Sequence, residues 1–288
     1  MCLFVYFSDM KTVNSLSGGK TSSYIAANYP ADYQVFSLVR IEDQDCKFKD
    51  KKIRLEVEDR LQLPFIGTAE MDDIVYTMLD LEQYIGQKID WTSGDTFEQV
   101  IKNHGGYLPN KMARYCTTDL KTIPIVKWMY KEIGEPVIMS FGYRANETNR
   151  MKSMVDKLDN DGFSNVKVTF EKHKDGRNKW ETVRYNKPQF PLIEDRVFKD
   201  NIEEFWKGKP VRFAYLNNCV GCHWRSPLLL RHIFTKDPEK MTWFVKQEQQ
   251  STGTFRSDVA YEDVSKWNLQ FELFDDDFNE CDSGHCGL

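Results

Sequence analysis

Three groups of residues in this 288-residue chain have the types and spacing to do chemistry. The first is Ser17-Gly18-Gly19-Lys20-Thr21-Ser22, between an apolar run and a helix-forming run. Two glycines let backbone N–H groups approach an anion with no Cβ in the way. Hydroxyls and the Lys20 ammonium add donors and charge. A helix beginning here turns its free N–H groups and positive dipole end to the same point. This is a phosphate cradle, set against the plainer reading of a glycine-rich turn. It is not a Walker loop, which needs a glycine five positions before its second one; Asn14 stands there. The second group is Arg144, Glu147 and Arg150. On a turn leading into a helix, two forked guanidinium groups can face one phosphate or sulfate. Glu147 could then hold an arginine or accept from a ribose or base; a surface charge network is the alternative. The third is Cys219-Val-Gly-Cys222, two thiols that can serve one metal or cluster.

These groups need elements to position them. Thr12–Leu16 reads as a buried strand, 22–28 as a helix ended by Pro30, and 33–39 as a second strand. Strand, helix and strand in so short a span is a βαβ unit, which implies a parallel sheet with flanking helices, an α/β Rossmann-like core. Ligands of such sheets bind beyond the carboxyl ends of the strands. The cradle sits at one such end, and the segment from Gly142 to Arg150 follows another, the apolar strand 136–142. Helical spacing marks 47–61, 72–85, 96–103 and 117–133, and 64–67 reads as a third strand. Pro124 predicts an irregular stretch followed by a helix with proline near its first position. His104 closes a helix and is given no chemistry. Strands 165–170 and 180–185 form a hairpin insert, about 163–187, whose Lys and Arg residues read as a solvated face. The expected division is a nucleotide-binding α/β domain over 1–210 and a mostly helical, cysteine-bearing region over 211–288.

Net charge of −5 gives no electrostatic case for a dedicated nucleic-acid binder. No apolar run approaches the ~20 residues needed to span a bilayer, and the first residues lack the basic start of a signal peptide. The expectation is a cytoplasmic protein with reduced thiols and no membrane partner. Seven cysteines, an odd number, argue against a disulfide framework and for metal, cluster or redox use.

Ser-Gly-Gly-Lys-Thr-Ser resembles the pyrophosphate-binding loop of the adenine nucleotide alpha hydrolase superfamily, with Thr21 at the acidic position of its usual Ser-Gly-Gly-x-Asp-Ser form. Gly142-x-Arg144-x-x-Glu147-x-x-Arg150 resembles a motif of the phosphoadenosine phosphosulfate (PAPS) reductase family. Phe190-Pro-Leu with the helix after it, and the segment from Cys116 through Lys121 to Pro124, are similar to two further segments of that family. The four occur in the family's order over roughly residues 12–225, and order is more specific than any one motif. The resemblance implies that Ser17, Gly18, Gly19, Lys20, Thr21 and Ser22 bind phosphates and that Lys121, Arg144 and Arg150, with Glu147, face the nucleotide's anionic end. After its second strand the family often has Asp-Thr-Gly, whereas this chain has Glu42-Asp-Gln-Asp45.

The resemblance also bears on the cysteines. Iron–sulfur members of the family draw ligands from the earlier segment and from a later Cys-x-x-Cys, which makes Cys116 the third ligand beside Cys219 and Cys222. The family's adjacent cysteine is Tyr115 here, so Cys281 or Cys286 supplies the fourth. Thiolate softness suits a [4Fe–4S] cluster or zinc, and the resemblance favours the cluster. Cys286-Gly-Leu matches the middle of the Glu-Cys-Gly-Leu-His ending of sulfonucleotide reductases, whose cysteine attacks sulfur. One cysteine cannot be both ligand and free nucleophile, so the expected assignment is Cys281 as ligand and Cys286, with Lys20, as catalytic. Two enzyme readings follow. One reduces an adenylylated sulfate with an external thiol; the other cleaves ATP between the α and β phosphates and delivers sulfur from a donor to a nucleobase or DNA. A third reading is a nucleotide- or cluster-binding protein without catalysis, in line with the missing acid at Thr21.

Overall fold

The computed structural model describes residues 10–268. Its strands in chain order are β1 (Thr12–Leu16), β2 (Tyr33–Ser37), β3 (Arg40–Ile41), β4 (Gly67–Thr68), β5 (Ile89–Thr92), β6 (Val137–Ser140), β7 (Ser164–Lys172) and β8 (Asn178–Gln189). Six of them form one sheet in the order β5-β2-β1-β6-β8-β7. All neighbours are parallel except β7, which returns antiparallel on β8. The expected α/β architecture, a largely parallel sheet flanked by helices, is therefore what the chain adopts.

The helices are α1 (Lys20–Asn28), α2 (Lys51–Leu61), α3 (Asp73–Ile85), α4 (Phe97–Asn103), α5 (Tyr115–Thr117), α6 (Ile123–Glu132), α7 (Thr148–Val155), α8 (Pro191–Glu194), α9 (Lys199–Trp206), α10 (Pro227–Lys236), α11 (Pro238–Gln249) and α12 (Tyr261–Ser265). They cover both faces of the sheet, which is why its strands are apolar runs rather than alternations. On β2 the faces are read directly. Phe36 packs with Ile25 of α1, Ile74 and Met78 of α3 and Ile202 of α9, while its neighbour Val35 packs with Ile125 and Met129 of α6. Each such fully buried side chain contributes about 1.5–3 kcal/mol relative to exposure.

Chain order fixes where a ligand can sit. From β1 the chain winds outward through β2 to β5, then returns to place β6 and β8 on the other side of β1. The direction of winding reverses between β1 and β6, and the crevice beyond their carboxyl ends is the binding position of open α/β sheets. The loop after β1 is Ser17–Gly19, and the loop after β6 leads to Arg144.

Two elements differ from expectation. The strand expected over 64–67 is displaced to Gly67–Thr68 and pairs antiparallel with Arg40–Ile41, outside the main sheet. Pro64 has no N–H to give a ladder, and its carbonyl accepts from Arg40 Nη1 at 2.7 Å instead. The place in the main sheet goes to Ile89–Thr92, four residues too few to stand out as a pattern. The hairpin forms, but β8 runs on from it, and Val137–Ser140 pairs with its last residues, 186–189. The hairpin's base is thus a member of the sheet and only its outer part projects.

The short β3–β4 ladder continues toward the cysteines. Ala69 N–H donates to Val39 O at 3.1 Å, Val220 N–H donates to Ala69 O at 2.9 Å, and Glu70 bridges to Cys219. The C-terminal helices pack on this ladder: Leu229, Leu230, Ile233, Trp243 and Phe244 share a core with Ile41, Ala69 and Phe97. Gly67 makes the ladder sterically feasible, because a Cβ there would lie 2.1 Å from the carbonyl oxygen of Cys46. Gly67→Ala is therefore expected to destabilise the protein by about 2–4 kcal/mol in urea unfolding, a backbone clash having no flexible atom to yield.

Candidate nucleotide site

At the switch point the loop is built by its own side chains. The Ser17 N–H donates to Ser22 Oγ at 3.1 Å, the two serine hydroxyls lie 3.1 Å apart, and Ser22 Oγ donates to Gly19 O at 3.1 Å. Ser22 thus shapes the loop before it meets any ligand. Gly18 is left-handed, φ +79, and a Cβ there would stand 2.5 Å from Ile74 Cγ2. Gly19 is the N-cap of α1; no side chain caps the helix, and its first turn holds no acid. Its amino end is left to attract an anion.

One cleft gathers Ser17, Gly19, Thr21 and Ser22 with Lys121, Arg144, Glu147 and Arg150. Three cations stand against one carboxylate in that wall. Glu147 organises the arginines: Oε2 accepts from the Arg144 N–H at 2.8 Å and from its Nε at 3.2 Å, and Oε1 accepts from Arg150 Nη1 at 3.1 Å. The Arg150 guanidinium lies 4.3 Å from the Tyr143 ring centroid, a cation–π contact that also fixes its plane. The apolar side of the cleft comes from Leu16, Ile125 and Phe141.

Lys121 reaches the cleft because its helix is irregular. A π-helical turn over Thr118–Thr122 joins α5 to α6, and Pro124 occupies the first turn of α6. Pro124 has no N–H for the Leu120 carbonyl; Ser37 Oγ donates to that carbonyl at 3.0 Å. The irregular stretch expected before Pro124 is present, and π turns of this kind recur at functional sites.

Lys20 is not brought to this cleft. Its ammonium pairs with Glu203 on α9, its carbonyl accepts from Trp206 Nε1 at 2.9 Å, and it lines a second cavity with Asp200, Glu203 and Glu204. Gly18 lies behind the loop rather than on the cleft surface.

Residues that sequence reasoning passed over line the wall, as Asn217 and Asn218 do, or stand behind it, as Glu70 does. Glu70 is 0% exposed; its Oε1 accepts from Lys121 Nζ at 2.8 Å, and Oε2 has no hydrogen-bond partner among the described residues. Asn218, left-handed at φ 63, accepts from Lys121 Nζ through Oδ1 at 3.3 Å. Asn217 packs so closely on the loop that a Cβ on Gly19 would lie 2.7 Å from its Nδ2. The adjacency of the two asparagines to Cys219 was a visible signal for them. Glu70 offered none, because nothing local marks a carboxylate destined for a partner 51 positions away.

Cys116, Cys219 and Cys222 are free thiols in one region. Burial, then Cys222, pushes the Cys116 thiol up to about 11, and burial, then Glu70, raises that of Cys219. No set of three or more His, Cys, Asp or Glu side chains among the described residues is disposed to hold a metal ion. These thiols alone do not make the four-ligand set of a cluster or structural zinc. Cys281 and Cys286 lie outside the described residues. His104, given no chemistry, contacts Asp119 at 2.7 Å through Nε2.

No family model, no curated protein and no solved structure matches the chain. No helix among the described residues is long and apolar enough to cross a membrane.

Burial would lower the Lys121 pKa, but Glu70 and Cys219 outweigh it and the pKa is raised. With the folded value above the unfolded one, the stabilisation is complete below the normal lysine range and is lost as pH rises through the folded value. Glu70→Gln is expected to cost about 3–5 kcal/mol at neutral pH, since it strands a buried ammonium. Adding Lys121→Met should recover much of that loss in urea unfolding. A double variant no more stable than Glu70→Gln would show that the pair is not the source.

Proposed function

We propose that the chain binds an adenine nucleotide in the cleft between β1 and β6 and uses it in sulfur chemistry, as its resemblance to the PAPS reductase family implies. One observation carries this reading: the Ser17–Ser22 loop and the Arg144–Arg150 segment, distant in sequence, line the same cleft at the sheet's switch point. An anionic chain would lie between the amino end of α1 and the two guanidinium groups, with the base against Leu16, Ile125 and Phe141. Arg144 and Arg150, held in place by Glu147, supply charge-assisted donors without reorganising.

A polyphosphate and a phosphosulfate both suit these donors. In sulfonucleotide reduction, two thiols give two electrons, the sulfur–oxygen bond to AMP breaks, and sulfite, AMP and a disulfide result. In ATP use, the α–β bond breaks, pyrophosphate leaves, and the adenylylated acceptor becomes open to a sulfur donor. The serine- and glycine-rich loop, closed by Ser22 on Ser17 and Gly19, favours the second. It offers backbone and hydroxyl donors to a leaving pyrophosphate, with the nucleobase or nucleic acid as acceptor.

Calorimetric titration of ATP, adenylyl sulfate and its 3′-phosphorylated form tests binding, and product analysis tests the branch. Pyrophosphate release from ATP marks one reaction and thiol-dependent sulfite the other; binding without either product marks the non-catalytic reading. Arg150→Ala is expected to weaken binding about tenfold or more, the worth of one charge-assisted contact. Gly18→Ala should do at least as much by closing the loop against Ile74. If none of the three nucleotides binds, the proposal fails.

A further inference from the structure

The hairpin of β7 and β8 is charged unlike the rest of the chain. Residues 164–187 hold seven Lys and Arg against three Asp and Glu, whereas the remainder holds 32 against 41. A net charge of −5 thus hides a local surplus of +4. So acidic a body does not draw a polyanion in from a distance. Contacts on a projecting arm act within a Debye length, about 8 Å at physiological salt, and meet the local charge.

Strand register gives the two faces of the hairpin different work. Val166 opposes Val183 and Val168 opposes Glu181 on one face, which packs on α6. There Val166 and Val168 are buried with Ile123, Val126 and Tyr130, and the Phe170 ring lies 5.4 Å from that of Tyr130. The other face sets Lys167 opposite Thr182, Thr169 opposite Trp180 and Asn165 opposite Arg184. It has no carboxylate of its own. Trp180 is 51% exposed there, Lys167 and Thr182 are exposed beside it, and Lys167 Nζ lies 5.7 Å from the indole centroid.

Ion pairs use up the hairpin's acids but not its lysines. Glu171 pairs with Lys179 at 3.2 Å and Asp175 with Arg177 at 2.6 Å, while Glu181 lies on the α6 face. Arg184 is taken by Asp159 and Asp161, just before the hairpin. Among the described residues no carboxylate is within ion-pair distance of Lys167, Lys172 or Lys174. Lysines on an edge strand guard against unwanted strand pairing. That role covers Lys167 and Lys172 of β7; it covers neither Lys174 in the turn nor an exposed tryptophan on β8.

The arm also points away from the cleft. Asn186 pairs with Val137 at the start of β6. Trp180, six residues earlier, therefore lies about 20 Å past the amino end of that strand, and the cleft is beyond the carboxyl end.

An open aromatic ring among free ammonium groups and hydroxyls can hold a single strand of nucleic acid: a base stacks on the ring and phosphates meet the cations, without a base code. We propose that this face, Lys167, Trp180 and Thr182 with Lys172 and Lys174 at its tip, docks single-stranded DNA or RNA. A duplex keeps its bases stacked on one another and offers Trp180 no ring face. An acidic protein segment would satisfy the lysines but give the indole nothing to stack on. The docking surface rests on the hairpin alone and stands whether or not the cleft takes a nucleotide. Together with the proposed function, it gives a nucleic-acid acceptor a holding place apart from the reacting centre.

The test is fluorescence anisotropy of labelled strands of about 20 nucleotides, DNA and RNA of one sequence, titrated with the full chain from about 50 mM salt upward. Saturable binding that weakens with salt is expected. Trp180→Ala should weaken it about tenfold, the worth of one stacked base. Lys167→Gln, Lys172→Gln and Lys174→Gln combined should lower the log–log salt slope by about two. These positions are exposed, so both variants should unfold in urea as the wild type does. A preference for DNA or for RNA names the source of the strand and supports the docking either way. No binding of either strand, wild-type affinity in Trp180→Ala, or duplex DNA bound as tightly as the single strand would overturn it. So would displacement of the strand by polyglutamate of equal charge, which marks an acidic protein partner, or a wild-type dimer that Trp180→Ala dissolves, which marks a second copy. Loss of binding in Arg150→Ala but not in Trp180→Ala would put the strand in the cleft instead. Failure of ATP and the sulfonucleotides to bind, with the oligonucleotide pattern intact, would sink only the proposed function.

Discussion

The structure depends on β1 being buried on both faces and hydrogen-bonded on both edges. Val13 is fully buried and Leu16 nearly so, β2 and β6 occupy the two edges, and even the polar Asn14 of this strand is enclosed, its amide donating to Tyr29 O at 2.8 Å. A strand so enclosed can present polar chemistry only beyond its end. The winding reversal opens a crevice at that end, and the glycines of the following loop let backbone donors line it. The rest of the site is an answer to the problem of bringing charge to that crevice.

Charge arrives by three routes, each with its own anchor. The arginines come on the loop after β6 and are held by Glu147. Lys121 comes through a π turn and is held by Glu70, a carboxylate with no exposure. Lys20 goes elsewhere, to Glu203 on α9. In the proposed reading, nucleotide contacts therefore fall on the backbone and hydroxyls of the loop and on Lys121, Arg144 and Arg150. The cysteine loop is coupled to the same wall, since Asn217 touches Gly19 and Asn218 touches Lys121 just before Cys219 begins. The proposed nucleotide cleft and the cysteine loop are thus joined through Asn217 and Asn218.

Much of the fold was legible. The βαβ unit, the turn at Ser17–Gly19, the helix of 73–85 and the proline-marked break before α6 all rest on local physics: apolar period, glycine freedom and the missing proline N–H. β5 was not legible, because Ile89–Thr92 is a strand by virtue of pairing with β2 rather than by its own pattern. Nor was the course of β8, whose last residues join the sheet because β6 offers an edge. The 64–67 segment was misplaced because strand propensity cannot say which partner a strand will find.

For the site, the sequence by itself determined what chemistry each segment could offer: a backbone anion cradle, a forked pair of cations with a glutamate between them, and two thiols on one turn. These are short-range properties, fixed by residue type and spacing. Only the tertiary structure decided which of them meet. It brought the cradle and Arg144–Arg150 into one cleft, turned Lys20 away to Glu203 across 183 positions, and set Glu70 behind Lys121 across 51. Those outcomes follow from long-range packing and from the need of each buried charge to find a counter-charge, and no local pattern encodes them.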